Sequence, residues 1–278
     1  MGSTSDNSAY LIFSVQSLPE LDSTQLVQSS MRALDRYFSA SLIEGDSTSL
    51  SGDEAQHLIR VMRARPGTQV VLFDGHGSEY LAVVERVGRS DVGLSILERR
   101  DADRELPVDV VLAVSLPKGD RQKWLVEKAV ELGVRRVVPL RTSRSVAQPV
   151  QQALERLERT VIEASKQCGR NRLMAIGEPQ GWPDFVSATD QVPTRLLAHP
   201  DARPRDGGKR SGLFIPPDEA TTGPVLLAVG PEGGFTAEEV ALATAAGWRP
   251  VDLGPRILRV ETAAILLAAM VAQHLPGL

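Results

Sequence analysis

The sequence predicts an α/β domain with a mainly parallel sheet, preceded by a small β-barrel. Before residue 104, short apolar runs alternate with glycine-containing turns, a pattern typical of a small barrel. After Pro107, continuous apolar strands alternate with amphipathic helices, which indicates a parallel sheet covered on both faces. We therefore expect the barrel over residues 31–104 and the α/β domain over residues 105–278, joined by the charged segment RRDADRELP.

The barrel half reads as paired strands with tight turns. The run TQVVLFDGHGSEYLAVVERV predicts strands 68–73 and 79–87 joined by the turn DGHG, and VGLSILER predicts a further strand. One short helix is expected around SGDEAQHLIRVM, with Ser51 as N-cap and Glu54 three residues later in a capping-box arrangement.

The α/β half alternates between strand and helix. Strands are predicted at VDVVLAVS, RRVVPL, TRLLAH, PVLLAVG and WRPVDLG, and helices at DRQKWLVEKAVELG, ALERLERTVIEASKQC, 236–246 and 261–274. The last helix is apolar around most of its circumference, which predicts that it is buried. The polar, glycine-rich run PDARPRDGGKRSG predicts a mobile surface loop.

Composition excludes several classes of protein. Hydrophobic residues make up 42% of the 278 residues and the net charge is −4, so a core can form and the chain is not a polycation. One cysteine and four scattered histidines exclude a disulfide framework and predict no metal site, which fits a reducing, cytoplasmic location. No apolar run approaches the ~20 residues of a membrane span. Residues 1–30 lack Lys and Arg, unlike a targeting signal, and are expected to be a disordered extension, or to precede a working start at Met31.

Three strand ends carry the residues that point to a ligand. They are LLAHP, LLAVGPEGG and VDLGPRILRVETA. In open α/β sheets the ligand lies beyond the carboxyl ends of the strands, and two Gly-Pro exits give rigid loops whose backbone approaches a ligand closely. Such loops suit an adenine or ribose edge, whereas the absence of the phosphate-binding glycine motifs argues against ATP or NAD in their usual pockets.

The segment GPEGGFTAEE has two interpretations. Thr236 and Glu239 form a capping box, which explains the start of a helix. Capping does not explain residues 230–234, which fit either a plain turn or a binding loop, because glycine serves in both.

Four basic clusters stand out in this acidic protein: RVMRARPG, PKGDRQK, VRRVVPLRTSRS and SKQCGRNRL. A single charged run is usually a solvated face, but four of them indicate a surface that binds the phosphates of RNA. A small barrel joined to an α/β domain then suggests an RNA-binding module attached to an enzyme.

Several long motifs together resemble one family. They are HLIRVMRARPG, LFDGHGSEY, KGDRQKWLVEKAVELGV, EASKQCGRNR, LLAVGPEGGFTAEEV and DLGPRILRVETA, together with RYF near Met31. In this order, over nearly the whole chain from Met31, they resemble the ribosomal RNA small subunit methyltransferase E family. The resemblance implies a SPOUT-type trefoil-knotted methyltransferase domain with an N-terminal PUA-like β-barrel. It also implies a homodimer, S-adenosyl-L-methionine as methyl donor, and methylation of N3 of one uridine in small-subunit (16S) ribosomal RNA.

The cofactor-binding residues implied by the resemblance lie on the three loops. They are Leu197, His199, Val229, Gly230, Pro231, Glu232, Gly233, Gly234, Leu253, Gly254, Ile257, Leu258, Arg259 and Thr262. The family usually reads ETT where this chain has Glu261-Thr262-Ala263. The missing hydroxyl at Ala263 bears on a side-chain contact there, not on the backbone loop.

Catalytic candidates follow from the chemistry of the implied target. N3 of uridine is protonated at neutral pH, so transfer needs a proton acceptor or a guanidinium that stabilises the developing charge. Arg259, and Arg170 or Arg172 in GRNR, are candidates for the guanidinium, and Glu232 is the candidate acceptor. Alternatively, Glu232 simply favours a helix N-terminus, and Arg259 pairs with Glu261 or lies in a dimer interface.

The resemblance also gives candidate RNA contacts and alternatives to weigh. The RNA-binding candidates are Arg36, Arg60, Arg63, Arg65, Lys118, Arg121, Arg170 and Arg172. The expected partner is small-subunit ribosomal RNA or the assembled subunit. One alternative is a non-catalytic ribosome-assembly factor, against which the intact ligand loops argue. Another is a knotted methyltransferase acting on transfer RNA or a ribose hydroxyl, against which KGDR and QCGRNR argue.

Overall fold

Two sheets organise the part of the chain that the computed structural model describes, residues 34–145, 151–200 and 223–275. The predicted extension at residues 1–30, the start at Met31 and nearly all of the loop PDARPRDGGKRSG lie outside the described residues. None of the described helices is long and apolar enough to cross a membrane.

The first sheet has five strands: β1 (Arg36–Phe38), β2 (Ser47–Ser51), β3 (Gln69–Phe73), β4 (Glu79–Val87) and β5 (Asp91–Arg100). Their order is β1-β3-β4-β5-β2, antiparallel except for the parallel pair of β1 and β3. Helix α1 (Gly52–Gln56) and a π-helical turn (His57–Val61) follow β2. The core of this sheet contains Tyr37, Leu72 and Leu94, which are all buried. The strands predicted at 68–73 and 79–87 are confirmed.

The capping box predicted at Ser51 is wrong. Ser51 is the N-cap of α1, but its side chain makes no capping hydrogen bond. The Glu54 carboxylate instead accepts hydrogen bonds from Nζ of Lys166 at 3.0 and 3.2 Å. A cation from a distant helix therefore outcompetes the local backbone amide, because a charge-assisted hydrogen bond is the stronger one.

The second sheet alternates with helices along the chain. Its strands are β6 (Val110–Val114), β7 (Arg136–Arg141), β8 (Ala175–Ile176), β9 (Gln180–Gly181), β10 (Thr194–Ala198), β11 (Val225–Val229) and β12 (Arg249–Val251). The helices are α2 (Asp120–Glu131), α3 (Gln151–Cys168), α4 (Trp182–Ala188), α5 (Ala237–Ala245) and α6 (Val260–His274). The predicted strands and helices are confirmed. Sequence analysis missed β8, β9 and α4, which are too short to show a periodicity.

All pairings in the second sheet are parallel, in the order β12-β10-β11-β6-β7-β8, with β9 beside β7. Helices α2, α3 and α6 bury aliphatic side chains on one face. Helices α4 and α5 cover the other face with an aromatic cluster, in which the rings of Trp182 and Phe235 lie 4.7 Å apart. This parallel sheet with helices on both faces confirms the predicted α/β domain, and it brings the carboxyl ends of β12, β10 and β11 together.

Ion pairs join the two sheets at a junction that we define by Arg36, Glu79, Arg104, Glu105 and Arg170, of which Glu79 and Arg170 are buried. Nη1 of Arg36 and Nη1 of Arg104 each lie 2.9 Å from Oε2 of Glu79. Both arginines also donate to the carbonyl oxygen of Gly169 in the second half of the chain. Burial alone would raise the pKa of Glu79, but the hydrogen bonds from the two arginines outweigh it, so this pKa lies below its ordinary value.

Arg170 closes the same junction from the other side. Its Nε donates to Oε1 of Glu105 at 3.0 Å, and its Nη1 donates to the carbonyl oxygens of Val130 and Val134 at 2.9 and 3.0 Å. The residue is only 3% exposed. Arg170 therefore connects the predicted linker to the C-terminal end of α2.

Candidate active site

A cavity of about 330 Å³ opens where β10, β11 and β12 end. Residues of the three following loops line it, together with Val260 and Ala263 of α6 and Arg144 from the loop after β7. Its volume lies in the range of small-molecule sites. The strands place the cavity here because three neighbouring parallel strands end at the same edge.

In the loop after β11, Gly230 and Gly234 are required for two different structural reasons. A Cβ at Gly230 would lie 2.9 Å from the buried ring of Phe235, so no side chain fits there. Gly234 adopts φ +68°, a conformation that favours glycine, and its amide donates to the carbonyl oxygen of Pro231 at 2.8 Å. The loop is thus a tight turn that also lines the cavity.

Gly254, in the loop after β12, is held in an unusual conformation. Its φ is +118°, and a Cβ placed there would meet nothing within 4 Å. The residue lines the cavity, and its amide donates to Oδ1 of Asp252 at 2.9 Å. Backbone rather than side chain forms this wall, which leaves room for a ligand.

The capping box at the start of α5 is confirmed. The Thr236 hydroxyl accepts from the amide of Glu239, and Oε2 of Glu239 accepts from the amide of Thr236 at 2.8 Å. The second oxygen of Glu239 accepts from the amide of Ser143 at 2.8 Å, which ties the loop after β7 to the same helix. In that loop, Nη1 of Arg144 donates to the carbonyl oxygen of Gly233 at 2.7 Å.

Arg121, at the start of α2, lies between two carboxylates beside the cavity. Its Nη2 is 3.4 Å from Oε1 of Glu232, and its Nη1 is 3.6 Å from Oε2 of Glu261. Glu232 lines the cavity, whereas Glu261 is buried in the first turn of α6. The arginine therefore bridges a cavity loop and a helix that packs against α2.

The structure brings most of the predicted cofactor residues together at this cavity. Those that line it are His199, Val229, Gly230, Pro231, Glu232, Gly233, Gly234, Leu253, Gly254, Ile257 and Leu258. Leu197 does not, because its side chain belongs to the aromatic cluster on the other side of β10. Arg259, the N-cap of α6, and Thr262 in its first turn are exposed outside the cavity lining.

The catalytic candidates separate in the structure. Glu232 lines the cavity. Arg170 is buried in the junction with its guanidinium committed to Glu105 and two carbonyls, a placement that argues against a role in catalysis or RNA binding. One alternative predicted that Arg259 pairs with Glu261. Among the residues described, Glu261 pairs with Arg121 instead.

The predicted RNA contacts also separate. Exposed residues among them are Arg60, Arg63, Arg65, Lys118 and Arg172. Arg36 instead donates to Glu79 and to Oδ1 of Asn171 at 2.6 Å, and burial lowers its pKa. The sequence pattern counted every arginine alike, whereas the fold uses Arg36 internally.

The predicted loops 197–200 and 253–262 also contain Ala198, Pro200, Arg256 and Val260, which line the cavity. Sequence analysis missed four lining residues: Arg144, Phe235, Asp252 and Ala263. Arg144 was noted in a basic cluster, but nothing local shows that it reaches Gly233. Across the described ranges, no group of three or more His, Cys, Asp or Glu could hold a metal ion.

Family models match both halves of the chain. An RNA methyltransferase domain matches residues 104–272, and an RNA methyltransferase PUA domain matches residues 50–97. The chain is 30% identical over 239 residues to ribosomal RNA small subunit methyltransferase E of Bacillus subtilis, covering 83% of this chain and 93% of that protein. It is 33% identical to the protein of the same name in Synechocystis, covering 83% and 74% of the two chains.

Solved structures are similar over nearly the same span. Ribosomal RNA small subunit methyltransferase E of Neisseria gonorrhoeae, bound to S-adenosyl methionine, superimposes with a TM-score of 0.77 at 29% identity, covering 87% of this chain and 98% of that chain. A Legionella pneumophila protein in complex with the bound cofactor SAM gives 0.74 at 32% identity, covering 86% and 97%. The fold is thus similar to that of two proteins whose structures contain the cofactor.

Proposed function

The chain belongs to the ribosomal RNA small subunit methyltransferase E family, and from this premise we propose that it transfers a methyl group from S-adenosylmethionine to small-subunit ribosomal RNA. The observation that carries the proposal is the cavity built from glycine-containing loops at the carboxyl ends of three adjacent parallel strands. We further propose that the acceptor atom is N3 of a uridine.

The residues of the cavity fit S-adenosylmethionine. Its apolar wall, which suits an adenine ring, consists of Ala198, Val229, Ile257, Leu258, Val260 and Ala263. Arg256 also lines it and is a suitable partner for a carboxylate. Gly254 leaves open space where a side chain would stand, so the backbone can approach a ligand closely. When bound, the cofactor supplies an activated methyl group on a sulfonium.

Glu232 is the proposed proton acceptor. The Glu232 carboxylate would take the proton from N3 of uridine, and the cofactor, held by the cavity loops, would supply the methyl group that N3 accepts. Glu232 lines the cavity and is 47% exposed, so a base entering from solvent can reach it. The rest of the site positions the reactants and excludes water.

Exposed cations on the first sheet are the proposed RNA surface. Arg60 lies in the π-helical turn, and Arg63 and Arg65 follow it. Each phosphate contact releases counterions and so adds to the slope of log K for RNA binding against log salt concentration. Arg60→Gln combined with Arg63→Gln should lower this slope by the contribution of about two phosphate contacts. Arg89→Gln, in the turn between β4 and β5, is the matched control and should leave the slope unchanged.

A homodimer is also proposed. Ile257 is 98% exposed in a loop that lines the cavity, and a second copy of the chain covering it would bury apolar surface. Sedimentation equilibrium tests this: a monomer at micromolar concentration would contradict the proposal. The trefoil knot stays a prediction.

Two measurements test the function. Calorimetry should show binding of S-adenosylmethionine, and mass spectrometry should find 3-methyluridine in small-subunit RNA incubated with the protein and the methyl donor. RNA binding without cofactor binding would favour a non-catalytic ribosome-assembly factor. Methylation of transfer RNA alone would favour a methyltransferase with a transfer RNA target. Glu232→Gln should lower the rate of methyl transfer about 100-fold and leave the affinity for the cofactor unchanged. Glu238→Gln, at an exposed residue in the first turn of α5, should change neither the rate nor the affinity.

A further inference from the structure

Glu261 is a buried carboxylate with an incomplete set of partners. Its side chain is 8% exposed, and its Oε2 forms no hydrogen bond with any residue that the structure describes. The nearest cation to this oxygen is Nη1 of Arg121 at 3.6 Å. Burying a carboxylate is costly unless charge compensates it, so this placement indicates a use for the negative charge.

The start of α6 and the start of α2 explain how the charge is held. Glu261 lies in the first turn of α6, where the helix dipole favours an anion. Arg121 lies in the first turn of α2, which packs against α6, and its side chain is 37% exposed. The buried carboxylate therefore holds the guanidinium from behind and leaves its other side free to act.

The other side of the guanidinium faces Glu232. Glu232 lies in the tight turn after β11, next to Gly233 and Gly234, and its side chain is half exposed. Nη2 of Arg121 lies 3.4 Å from Oε1 of Glu232 and is the contact that directs this carboxylate. Arg144, also at the cavity, is committed to the carbonyl oxygen of Gly233.

We propose that Glu261 is a positioning residue that acts through Arg121 to hold the Glu232 carboxylate at the wall of the cavity. The Glu261 carboxylate, in the buried first turn of α6, contacts the Arg121 guanidinium, which in turn contacts the Glu232 carboxylate at the cavity. This inference rests on the proposed function, because it assigns Glu232 as the group to be positioned. It changes the role predicted for Arg121, which orients a site residue rather than an RNA phosphate.

A kinetic double-mutant cycle tests the proposal. Arg121→Gln and Glu261→Gln should each lower kcat on the order of 10-fold, with KM for RNA and cofactor affinity unchanged, because only the orientation of Glu232 is lost. The double variant should be no slower than Arg121→Gln alone. Glu127→Gln, which removes the exposed pair with Lys123, is the matched control and should leave kcat unchanged.

The outcomes separate the possible roles. Effects that multiply in the double variant would show that Glu261 does not act through Arg121 and would overturn the proposal. A raised KM for RNA with kcat unchanged in Arg121→Gln would also overturn it, since Arg121 would then be a phosphate contact. An inactive wild-type protein would instead contradict the proposed function itself.

A second variant guards against loss of the fold. Glu261→Asp keeps the charge and shortens the side chain by one methylene, so it should lower kcat less than Glu261→Gln does. Thermal unfolding of the free protein gives an independent measure: the destabilisation by Glu261→Gln should shrink when Arg121 is already Gln. Equal destabilisation in both backgrounds would contradict the pairing.

Discussion

The junction between the sheets and the cavity are built from the same residue types, arginine and glutamate, used in opposite ways. At the junction, Arg170 and Glu79 are buried and hydrogen-bonded on every side that the structure describes. At the cavity, Arg121 and Glu232 are partly exposed and meet at 3.4 Å. Charges that hold the fold are closed off, whereas charges available for chemistry keep a side open to ligand.

The difference teaches how to interpret the basic motif QCGRNR. A cluster of cations without acids predicted an RNA contact, yet Arg170 finds its acid at Glu105. Arg172, two residues later, is exposed. One motif therefore contributes one cation to the fold and one to the surface.

The largest effect is expected from opening the junction at Arg170. Arg170→Met removes the donor that Arg170 provides to the Glu105 carboxylate and to the carbonyl oxygen of Val134, which should cost about 4 kcal/mol of unfolding free energy. Arg172→Met is the matched control in the same motif and should change stability by less than about 0.5 kcal/mol. Denaturant titration measures both, and equal losses would show that the two arginines are not used differently.

Glu79 should give a smaller, pH-dependent effect. Its pKa in the folded protein lies below the ordinary 4.5, so its stabilisation is fully present above about pH 4.5 and is lost as pH falls through the folded value. Glu79→Gln should therefore cost about 2 kcal/mol at pH 7 and progressively less below pH 4.5. Glu98→Gln, at an exposed pair, is the control. A loss independent of pH would argue against the ion pair.

At the cavity, a backbone change should matter for the ligand. Gly254→Ala forces an L side chain into φ +118° and toward the cavity, which should cost about 1.5 kcal/mol and weaken cofactor binding on the order of 10-fold. Gly67→Ala, at φ +92° and also in open space but on the first sheet, should cost similar stability with affinity unchanged. Equal affinity in both variants would remove Gly254 from the site.

The smallest effect is expected at the helix cap beside the cavity. Thr236→Ala removes the hydroxyl that accepts from the amide of Glu239 and should cost about 1 kcal/mol. Thr244→Ala, at an exposed position near the C-terminal end of α5, serves as the control for loss of a threonine. Circular dichroism during thermal unfolding compares the two, and no difference would mean that the cap contributes nothing.

Sequence reasoning reached what is local. The strand ends, the Gly-Pro exits and the capping box at Thr236 follow from neighbouring residues, and the cavity lies at the predicted loops. Three contacts could not be predicted from the sequence: Lys166 with Glu54, Arg170 with Glu105, and Arg144 with the carbonyl oxygen of Gly233. Each joins residues far apart in the chain, and no periodicity or propensity carries that information.

The two hydrogen bonds that the Glu239 carboxylate accepts should couple the hydrogen exchange of two backbone amides. One carboxylate protects the amide of Thr236 and the amide of Ser143, which belong to different loops at the cavity. A single local opening of that side chain releases both, so their deuterium uptake should follow one shared rate. A ligand that steadies the loop after β11 should therefore slow deuterium uptake at the amide of Ser143 as well as at the amide of Thr236.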